Sequence, residues 1–435
     1  MSVSLRILIA GGGVGGLALA QGLKKAGHTV RLYEKSVSGG AAGYRLHMNG
    51  DGGNALKDLL PPDLFQLYLA TSRKDPRKER LVFYDNHLRE LGERPHLGAR
   101  VVDRPKDTAA NRATLRELLM IGLADVVIAG EIQGYEETTD GVEIILEDGR
   151  RDRGDLLVGF DGVHSRVRRS KLPQARVMDT GLFAIYGRAP LPPSLPPQLM
   201  DGFVIVFGPK VLENGVLSLG VFDPRIAVDE APARCGIDAR LTPVAPYMMI
   251  AGSLPASMVR EKGLRSDTIT GPQMKDSLQE LVKGWDPHIV AMVDAARAED
   301  FFATRVRYVE APYDWASSRV TLAGDAIHGM PPTLGIGANL ALRDAQVLAE
   351  KLNGLASGSR AAIVAAVRSY EAEMRGYAFP LVKRAITQEG SASGFTPMGV
   401  LRLIRLVGIG PFLNALRGRK KSFVRPANDE EERAQ

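Results

Sequence analysis

A glycine-rich turn near the start of the chain has the residue types and the spacing that suit the binding of an anion. Gly11, Gly13 and Gly16 directly follow the apolar run Leu5 to Ala10. Gly11 permits a tight turn, Gly13 lets the backbone approach a pyrophosphate, and Gly16 lets a helix pack closely on a strand. The pyrophosphate would lie at the helix N-terminus, where free N–H groups and the helix dipole favour negative charge. The turn therefore predicts a dinucleotide site.

The segments around this turn are the elements that such a site requires. Leu5 to Ala10 predicts a buried parallel strand, Leu17 to Ala26 predicts a helix, and residues 30–33 predict a second strand that Glu34 closes. A carboxylate at Glu34 would accept two ribose hydroxyls and repel a 2′-phosphate, so the residues predict FAD or NAD rather than NADP. A glycine-rich turn without a ligand is the alternative interpretation.

Two later segments also place glycine and aspartate at the end of a predicted strand. Asp161-Gly162 follows the first of these apolar runs, and Gly324-Asp325 follows the second. Gly335 and Gly337 come next, ahead of a long predicted helix over residues 340–352. Asn111 to Arg116 is a further polar segment that lies between the first and second motifs.

These motifs resemble the single-component (class A) FAD-dependent monooxygenases, the para-hydroxybenzoate-hydroxylase-like family. That family has an N-terminal GxGxxG, a central DG and a later GD motif, and all three occur here in that order, within residues 5–380. The resemblance implies an α/β fold. A Rossmann-like FAD-binding domain would be interleaved with a mainly antiparallel β-sheet substrate domain and followed by C-terminal helices. The chain differs from many relatives at Ile336 and Arg45.

The fingerprint and the resemblance together indicate which residues bind FAD. By resemblance, Asp325 accepts hydrogen bonds from ribitol hydroxyls, and Arg112 contacts the flavin nucleotide. The helix that starts near Gly337 would point its N-terminus at the pyrimidine edge of the flavin. The expected cofactor-binding residues are Gly11, Gly13, Gly16, Glu34, Lys35, Arg45, Arg112, Asp161, Gly324, Asp325, Gly335, Gly337, Ala338 and Asn339. No catalytic residue is assigned.

The seven histidines are scattered and the chain has a single cysteine, so no metal site is expected. His164 and His328 are interpreted as packing or hydrogen-bonding residues, because the family needs no histidine base at either motif. His47 differs from these two, since it lies in a segment that could face the flavin.

The expected domains are discontinuous. The FAD-binding domain would comprise residues 1–70, 101–172 and 286–355; the substrate domain, residues 71–100 and 173–285; and a C-terminal helical segment with a disordered tail, residues 356–435. Strand-like runs over 203–207, 215–222 and 247–251 predict the antiparallel sheet. Candidate substrate residues are Phe203, Ile205, Phe207, Leu219 and Met248. The sequence leaves open which alternate set of side chains faces the ligand.

Composition excludes several other classes of protein. The 435 residues suggest two or three domains at about 150 residues each, and 45% hydrophobic with 24% charged residues is typical of globular chains. The net charge is 56 − 50 = +6, and the basic residues are not interleaved with aromatic residues, so no nucleic-acid partner is expected. The single cysteine, Cys235, excludes a disulfide framework and favours a reducing, cytoplasmic location. Without an apolar run of 18 residues, no membrane-spanning helix is expected.

The resemblance also implies a reaction. NADPH or NADH would visit as a transient co-substrate, because only one full dinucleotide fingerprint occurs. A C4a-hydroperoxyflavin formed with O2 would hydroxylate or epoxidise an aromatic or polyketide-like small molecule. A halogenase is disfavoured, since Trp285 and Trp315 are the only tryptophans and do not form that family's paired motif. An FAD-scaffold protein with a non-redox or cyclase role is the alternative, and the oligomeric state stays open.

Overall fold

Short apolar runs of the chain form strands, and longer stretches between and after them form helices. The computed structural model describes residues 3–37, 44–76, 78–97, 108–208, 216–254 and 256–392. The strands are β1 (Arg6–Ala10), β2 (Thr29–Glu34), β3 (Arg45–Met48), β4 (Leu81–Asp85), β5 (Glu90–Arg94), β6 (Thr108–Asn111), β7 (Val127–Ala129), β8 (Ile132–Glu137), β9 (Val142–Leu146), β10 (Arg151–Gly154), β11 (Leu156–Gly159), β12 (Arg176–Pro190), β13 (Phe203–Phe207), β14 (Val216–Phe222), β15 (Tyr247–Ser253), β16 (Phe302–Glu310) and β17 (Val320–Leu322).

The helices connect or follow these strands. The α-helices are α1 (Val14–Lys25), α2 (Gly50–Leu59), α3 (Pro62–Thr71), α4 (Arg112–Met120), α5 (Arg166–Lys171), α6 (Ala231–Arg234), α7 (Ala256–Glu261), α8 (Gly271–Leu281), α9 (Pro287–Ala295), α10 (Asp325–His328), α11 (Gly337–Asn353) and α12 (Arg360–Ala392). Short 3-10 helices span Pro197–Met200, Ala298–Asp300 and Pro332–Leu334.

A five-stranded parallel sheet forms the centre of the first layer, in the order β17-β11-β1-β2-β7. Its central strand is fully buried from Ile7 to Ile9, because helices cover both faces of a parallel sheet. α1, α11 and α12 contribute to this same core. The Rossmann-like part of the expected fold is confirmed.

A seven-stranded sheet forms the second layer, in the order β16-β12-β15-β14-β13-β4-β5. Its pairs are antiparallel except β13 with β4. One face packs on α8 and α9, and we call it the helix face; its residues share a core with Leu278 and Trp285. We call the opposite side the inner face. The mainly antiparallel sheet is confirmed as well.

The inner face contacts a two-stranded ribbon of β3 and β6 that belongs to the first layer. The Tyr44 ring lies 6.0 Å from that of Tyr247 and 5.7 Å from that of Phe302. The Asn111 amide donates to the Tyr247 hydroxyl at 3.0 Å. A Cβ on Gly220 would lie 2.9 Å from Cδ of Arg45, so the two layers pack closely here.

Two expected segments differ from the structure or lie outside it. Residues 286–310, assigned from sequence to the FAD-binding domain, contain α9 and β16, which pack on or pair within the seven-stranded sheet. The C-terminal tail lies outside the described residues. None of the described helices has the length and apolar character needed to cross a membrane.

Candidate functional site

The glycine-rich turn between β1 and α1 has the backbone that the fingerprint predicts. Gly11 has φ +103°, and a Cβ at Gly16 would collide with the Gly11 carbonyl oxygen. A Cβ at Gly13 would meet nothing within 4 Å, so space lies open in front of α1. Among the described residues no side chain caps this helix start, which leaves its first N–H groups free for an anion.

Glu34 ends β2, and its side chain contacts the backbone of the glycine-rich turn. Its carboxylate accepts hydrogen bonds from the backbone N–H of Gly12 at 2.6 Å and of Ser36 at 2.8 Å. It therefore lies beside the turn, where a ribose is expected. Lys35 points elsewhere, since its ammonium lies 3.7 Å from Glu131.

Arg116 is a residue of this region that sequence reasoning missed. Its guanidinium donates to the carbonyls of Gly12 at 3.1 Å and Ser36 at 3.0 Å, so it ties α4 to the turn. Arg112, one helical turn earlier, has an exposed side chain. The i, i+4 spacing of these two arginines was visible in the sequence, but it did not indicate which of them faces the backbone.

The glycine–aspartate motif after β17 forms a second part of the site. Gly324 has φ +58°, and Asp325 begins α10 with an exposed side chain. Gly335 has φ +65°, and α11 begins at Gly337 without a side-chain cap among the described residues. A Cβ on Gly337 would lie 3.9 Å from the Asp325 carboxylate, so the exposed acid and the helix start are neighbours.

Close packing of α1 on α11 brings the two uncapped helix starts to the same side of the sheet. A Cβ at Gly15 would lie 3.1 Å from Ala341 and closer still to the Phe160 ring, so this contact requires glycine. Free N–H groups suit the charged parts of a flavin dinucleotide, and the exposed Asp325 carboxylate suits sugar-chain hydroxyls. The residues present therefore fit FAD.

Asn339 joins α11 to the β3 ribbon. Its side-chain amide donates to the His47 carbonyl at 2.8 Å and accepts from the Asn49 N–H at 3.0 Å. The side chain is buried, and Ala338 beside it is partly buried. Asn339 therefore uses its amide to position backbone.

The Asp161 carboxylate is occupied by the helix that follows it. It accepts from the Ser165 hydroxyl at 2.5 Å and from the Arg166 and Val167 N–H groups at 2.7 and 3.2 Å. Burial raises the pKa of Asp161, although these hydrogen bonds oppose the rise. The carboxylate thus caps the start of α5.

A buried network beneath Gly324 was also missed by sequence reasoning. Asp344 is fully buried and accepts from the Gly324 N–H and from Nε2 of His328, both at 2.6 Å. Its other oxygen accepts from the Tyr377 hydroxyl at 2.5 Å. Burial lowers the pKa of His328, but Asp344, with a smaller contribution from Asp325, raises it, and the net change is upward. The available signal in the sequence was Asp344 itself, a charged residue that lies between Leu340 and Leu348 on an otherwise apolar face of the helix.

The five candidate substrate residues separate into two sets. Phe203, Ile205 and Phe207 lie on the inner face, where they join the cluster around Phe83. Leu219 and Met248 lie on the helix face, fully buried in the core with α8 and α9. Because side chains alternate along a strand, only the first set can reach the ribbon side of the sheet.

Arg45 reaches across to the inner face instead of staying in the first layer. Its guanidinium donates to the carbonyls of Val221 at 3.0 Å and Gly202 at 2.7 Å, and it lies 5.6 Å from the centre of the Phe203 ring. Arg45 therefore lies at the junction of the two layers.

The chain is similar to flavoproteins over most of its length. The sequence pattern of the FAD binding domain family matches residues 104–385. The dual O-methyltransferase/FAD-dependent monooxygenase CTB3 of Cercospora beticola is 27% identical over 394 residues, which cover 85% of this chain and 44% of that protein. The chloroplastic zeaxanthin epoxidase of Spinacia oleracea is 28% identical over 387 residues, covering 85% and 52%. The chain spans about half the length of these curated relatives.

Solved structures have the same fold. A protein from Photorhabdus luminescens subsp. laumondii TTO1, described as an FAD containing monooxygenase, superimposes with a TM-score of 0.71 at 28% identity, over 88% of this chain and 98% of that one. HpxO of Klebsiella pneumoniae, solved with FAD and uric acid, has a TM-score of 0.70 at 20% identity, over 95% and 97%. The second likeness supports the fold alone.

Proposed function

The chain belongs to the FAD binding domain family, and from that membership we propose that it is an FAD-dependent monooxygenase. In this proposal it uses NADPH or NADH and O2 to hydroxylate or epoxidise an aromatic or polyketide-like small molecule. The names of its relatives support this reaction class, since one is a monooxygenase and another an epoxidase. The oxygen-transferring flavin species expected from the sequence is part of the same proposal.

One arrangement carries the proposal. The starts of α1 and α11 lie on one side of the parallel sheet beside the exposed Asp325, and Asn339 ties this edge to the ribbon under the inner face. We propose that a flavin held at α11 faces the inner face of the seven-stranded sheet, on which the apolar residues Phe203 and Ile205 lie.

Several groups would hold FAD in this arrangement. The α1 turn at Gly13 would receive the pyrophosphate, Glu34 the ribose, and Asp325 the sugar-chain hydroxyls. Arg112 has an exposed side chain that can reach a bound nucleotide. When bound, FAD supplies hydride acceptance and O2 activation. The free N–H groups at the start of α11 would stabilise negative charge on the neighbouring ring edge.

The inner face would shape the other half of the site. Phe203 and Ile205 are partly buried, so they offer apolar surface to a ring-containing substrate. Apolar walls also exclude water, which protects reactive oxygen chemistry from side reactions. We further propose that the substrate domain extends from residue 173 to Glu310, because β16 pairs within its sheet.

Partners and location follow from the same proposal. The expected partners are a small-molecule substrate and O2, with no nucleic acid. A cytoplasmic location is proposed from the single cysteine, Cys235.

An anaerobic absorbance titration tests this function. The FAD-loaded protein is titrated with NADPH and then NADH while the flavin bands are followed. We expect either donor to bleach the flavin and thereby reveal the donor preference. If the flavin bands persist even with candidate phenols present, that result would favour the alternative of an FAD-scaffold protein with a non-redox or cyclase role. A protein that binds no added FAD would contradict the cofactor assignment itself.

A further inference from the structure

Helix α12 lies in the segment that the sequence places after the FAD-binding domain, yet one of its faces packs into the core of the parallel sheet. Tyr370, Met374 and Ala378 are fully buried in that core. Residues four apart lie on one face of a helix, so these three side chains define the buried face of α12. The polar side chains next to this face are therefore close to the strand and the turn that carry the Gly324-Asp325 motif.

Two of these polar side chains hold strand β17. The Tyr370 hydroxyl donates to the Leu322 carbonyl at 3.0 Å, and the Glu371 carboxylate accepts from the Thr321 hydroxyl at 2.9 Å. Both Tyr370 and Glu371 are buried. Because Leu322 ends β17 two residues before Gly324, α12 fixes the strand that leads into the turn.

Tyr377 reaches the turn itself through Asp344. Its hydroxyl donates to one carboxylate oxygen of Asp344 at 2.5 Å, and the other oxygen accepts from the Gly324 N–H at 2.6 Å. Burial and the Asp344 charge raise the pKa of Tyr377, so the hydroxyl keeps its proton and acts as a donor. Two hydrogen bonds in series thus connect α12 to Gly324, whose neighbour Asp325 is expected to bind FAD.

The Tyr377 ring is held in place by groups other than its hydroxyl. The Arg343 guanidinium lies over the ring, 4.0 Å from its centre, and pairs with Asp51 at 3.0 Å. A cation over an aromatic face is attracted by the ring, whether or not the ring carries a hydroxyl. A phenylalanine at position 377 would therefore keep the packing and lose only the donor to Asp344.

The charge of Asp344 makes that donor important. The carboxylate is fully buried, and a buried charge depends on the groups that donate to it. Without the Tyr377 hydroxyl, the carboxylate is held less firmly and the electrostatic potential beneath the Gly324 turn is more negative. Reduced flavin carries negative charge, so this change disfavours the reduced cofactor more than the oxidised one.

We infer that Tyr377 is a positioning residue for the flavin: through Asp344 it holds the Gly324-Asp325 turn and partly neutralises the charge beneath it. This inference rests on the proposed function, because it takes FAD to be the cofactor. Gly324 has φ +58°, so the turn needs its N–H bond to Asp344 to stay in this conformation. The turn in turn keeps the Asp325 carboxylate beside the start of α11. Tyr377 acts by position and by the dipole of its hydroxyl, and no proton or electron is transferred.

Tyr377→Phe tests the inference with two measurements. Quenching of flavin fluorescence, followed well below the melting temperature, gives the affinity of the full-length protein for FAD. Dithionite titration of the FAD-loaded protein beside a reference dye gives the midpoint potential of the flavin. We expect FAD binding to weaken about 3- to 10-fold, the range of one hydrogen bond, and the midpoint potential to become more negative. A tyrosine that serves packing alone would change stability and leave both values where they are.

Tyr313→Phe is the matched control, because it removes the same atom from a tyrosine that packs on the same helix. Tyr313 is 77% exposed, and its ring lies 6.4 Å from that of Phe379. This variant should leave FAD affinity and midpoint potential unchanged.

A double-mutant cycle tests the route through Asp344. In an Asp344→Ala background, Tyr377→Phe should weaken FAD binding no further, since both residues act along one chain of hydrogen bonds. If Asp344→Ala does not fold, the two Tyr→Phe variants still decide the inference, because neither removes a buried ring.

Two results would overturn the inference. Tyr377→Phe matches Tyr313→Phe in FAD affinity or in midpoint potential, whatever its melting temperature; or it weakens FAD binding as much without Asp344 as with it, which would mean that Tyr377 acts by another route. Neither measurement needs a nicotinamide. A protein that shows the expected shifts but is never reduced by NADPH or NADH keeps this inference and loses the proposed function. Normal reduction by either donor, with both values unshifted in Tyr377→Phe, does the reverse.

Discussion

Two buried polar regions, one on each side of the expected flavin position, differ in how fully their hydrogen bonds are made. Beneath Gly324, both oxygens of Asp344 accept hydrogen bonds from described groups, including the Gly324 backbone. The other region, which we call the arginine–histidine cluster, comprises Arg45, His47, Arg73, Glu79 and His96 between the β3 ribbon and the inner face. In it, Nη1 of Arg45 and both ring nitrogens of His47 have no such partner among the described residues. The Asp344 carboxylate is therefore fully hydrogen-bonded, and Nδ1 of the adjacent His328 is the atom of that network without a partner among the described residues, whereas the cluster around Arg45 leaves several such atoms.

This difference indicates what each region contributes. Groups that position a resident cofactor are most useful when their own hydrogen bonds hold them rigid before it binds. Groups that recognise a ligand need free donors, at some cost to stability. The Asp344 network therefore holds the Gly324 backbone in place, whereas the arginine–histidine cluster keeps buried donors that the described residues do not use.

The largest expected effect contrasts the two regions directly. Asp344→Ala should lower the free energy of unfolding by about 3–5 kcal/mol, because it leaves His328 buried without its carboxylate. Arg45→Met should change the free energy of unfolding by only about 1 kcal/mol, since a desolvated, partly satisfied cation is replaced by an apolar side chain of similar length. Urea unfolding of the two variants measures both values.

The outcome of that experiment separates the two roles. Equal losses of unfolding free energy in both variants would contradict the expected difference between the two regions. A loss in Arg45→Met alone would reverse it and make the arginine–histidine cluster the structural region.

The two faces of the seven-stranded sheet give the next contrast. Leu219→Ala should destabilise the protein by about 2–5 kcal/mol, because Leu219 is fully buried on the helix face. Ile205→Ala, on the partly open inner face, should cost less stability and instead raise the KM for substrate. Thermal unfolding and steady-state kinetics on both variants check this, and a KM change confined to Leu219→Ala would mean that the faces are assigned the wrong way round.

Substitutions at two glycines of the fingerprint, Gly16 and Gly13, should affect stability and FAD binding separately. Gly16→Ala places a Cβ against the Gly11 carbonyl and should cost about 1–3 kcal/mol of stability. Gly13→Ala meets nothing in the protein, so it should fold normally and lose FAD affinity. Fluorescence titration with FAD, set beside thermal unfolding, distinguishes these effects. Normal FAD affinity in Gly13→Ala would mean that the pyrophosphate does not bind at this turn.

Sequence patterns predicted the parts of this molecule that local rules govern. The β1–turn–α1 unit, the strands Phe203–Phe207 and Tyr247–Ser253, and helix α11 follow from period and glycine spacing, and the family resemblance is confirmed. The pattern could not say which face of β13 is inward, because both alternate sets of its side chains are apolar. Asp344 and His96 meet partners far away in sequence, and only the tertiary fold brings such pairs together.

The two arginines of α4 are expected to act on FAD binding in different ways, Arg116 by supporting the glycine-rich turn and Arg112 by direct contact. Arg116→Met should lower stability by about 1 kcal/mol and weaken FAD binding, because it frees the carbonyls of Gly12 and Ser36. Arg112→Met should leave stability unchanged, since the side chain is exposed, and weaken FAD binding only through direct contact. Paired melting curves with and without FAD measure both effects. A stability loss in Arg112→Met would mean that it shares the role of Arg116.

The smallest effect concerns pH and the Asp344 network. The pKa of His328 is raised in the folded protein, so its protonated form is favoured by folding. Such a group contributes stability that is fully present below its unfolded pKa, near 6.5, and that is lost as the pH rises through the folded pKa. The buried histidines with lowered pKa values contribute with the opposite sign, so the native curve alone does not isolate His328. The difference in melting temperature between the native protein and His328→Asn should therefore shrink as the pH rises above about 6.5. A His328→Asn difference that grows with pH would mean that this histidine is buried neutral, and the contrast between the two buried regions would then rest on Asp344 and Tyr377 alone.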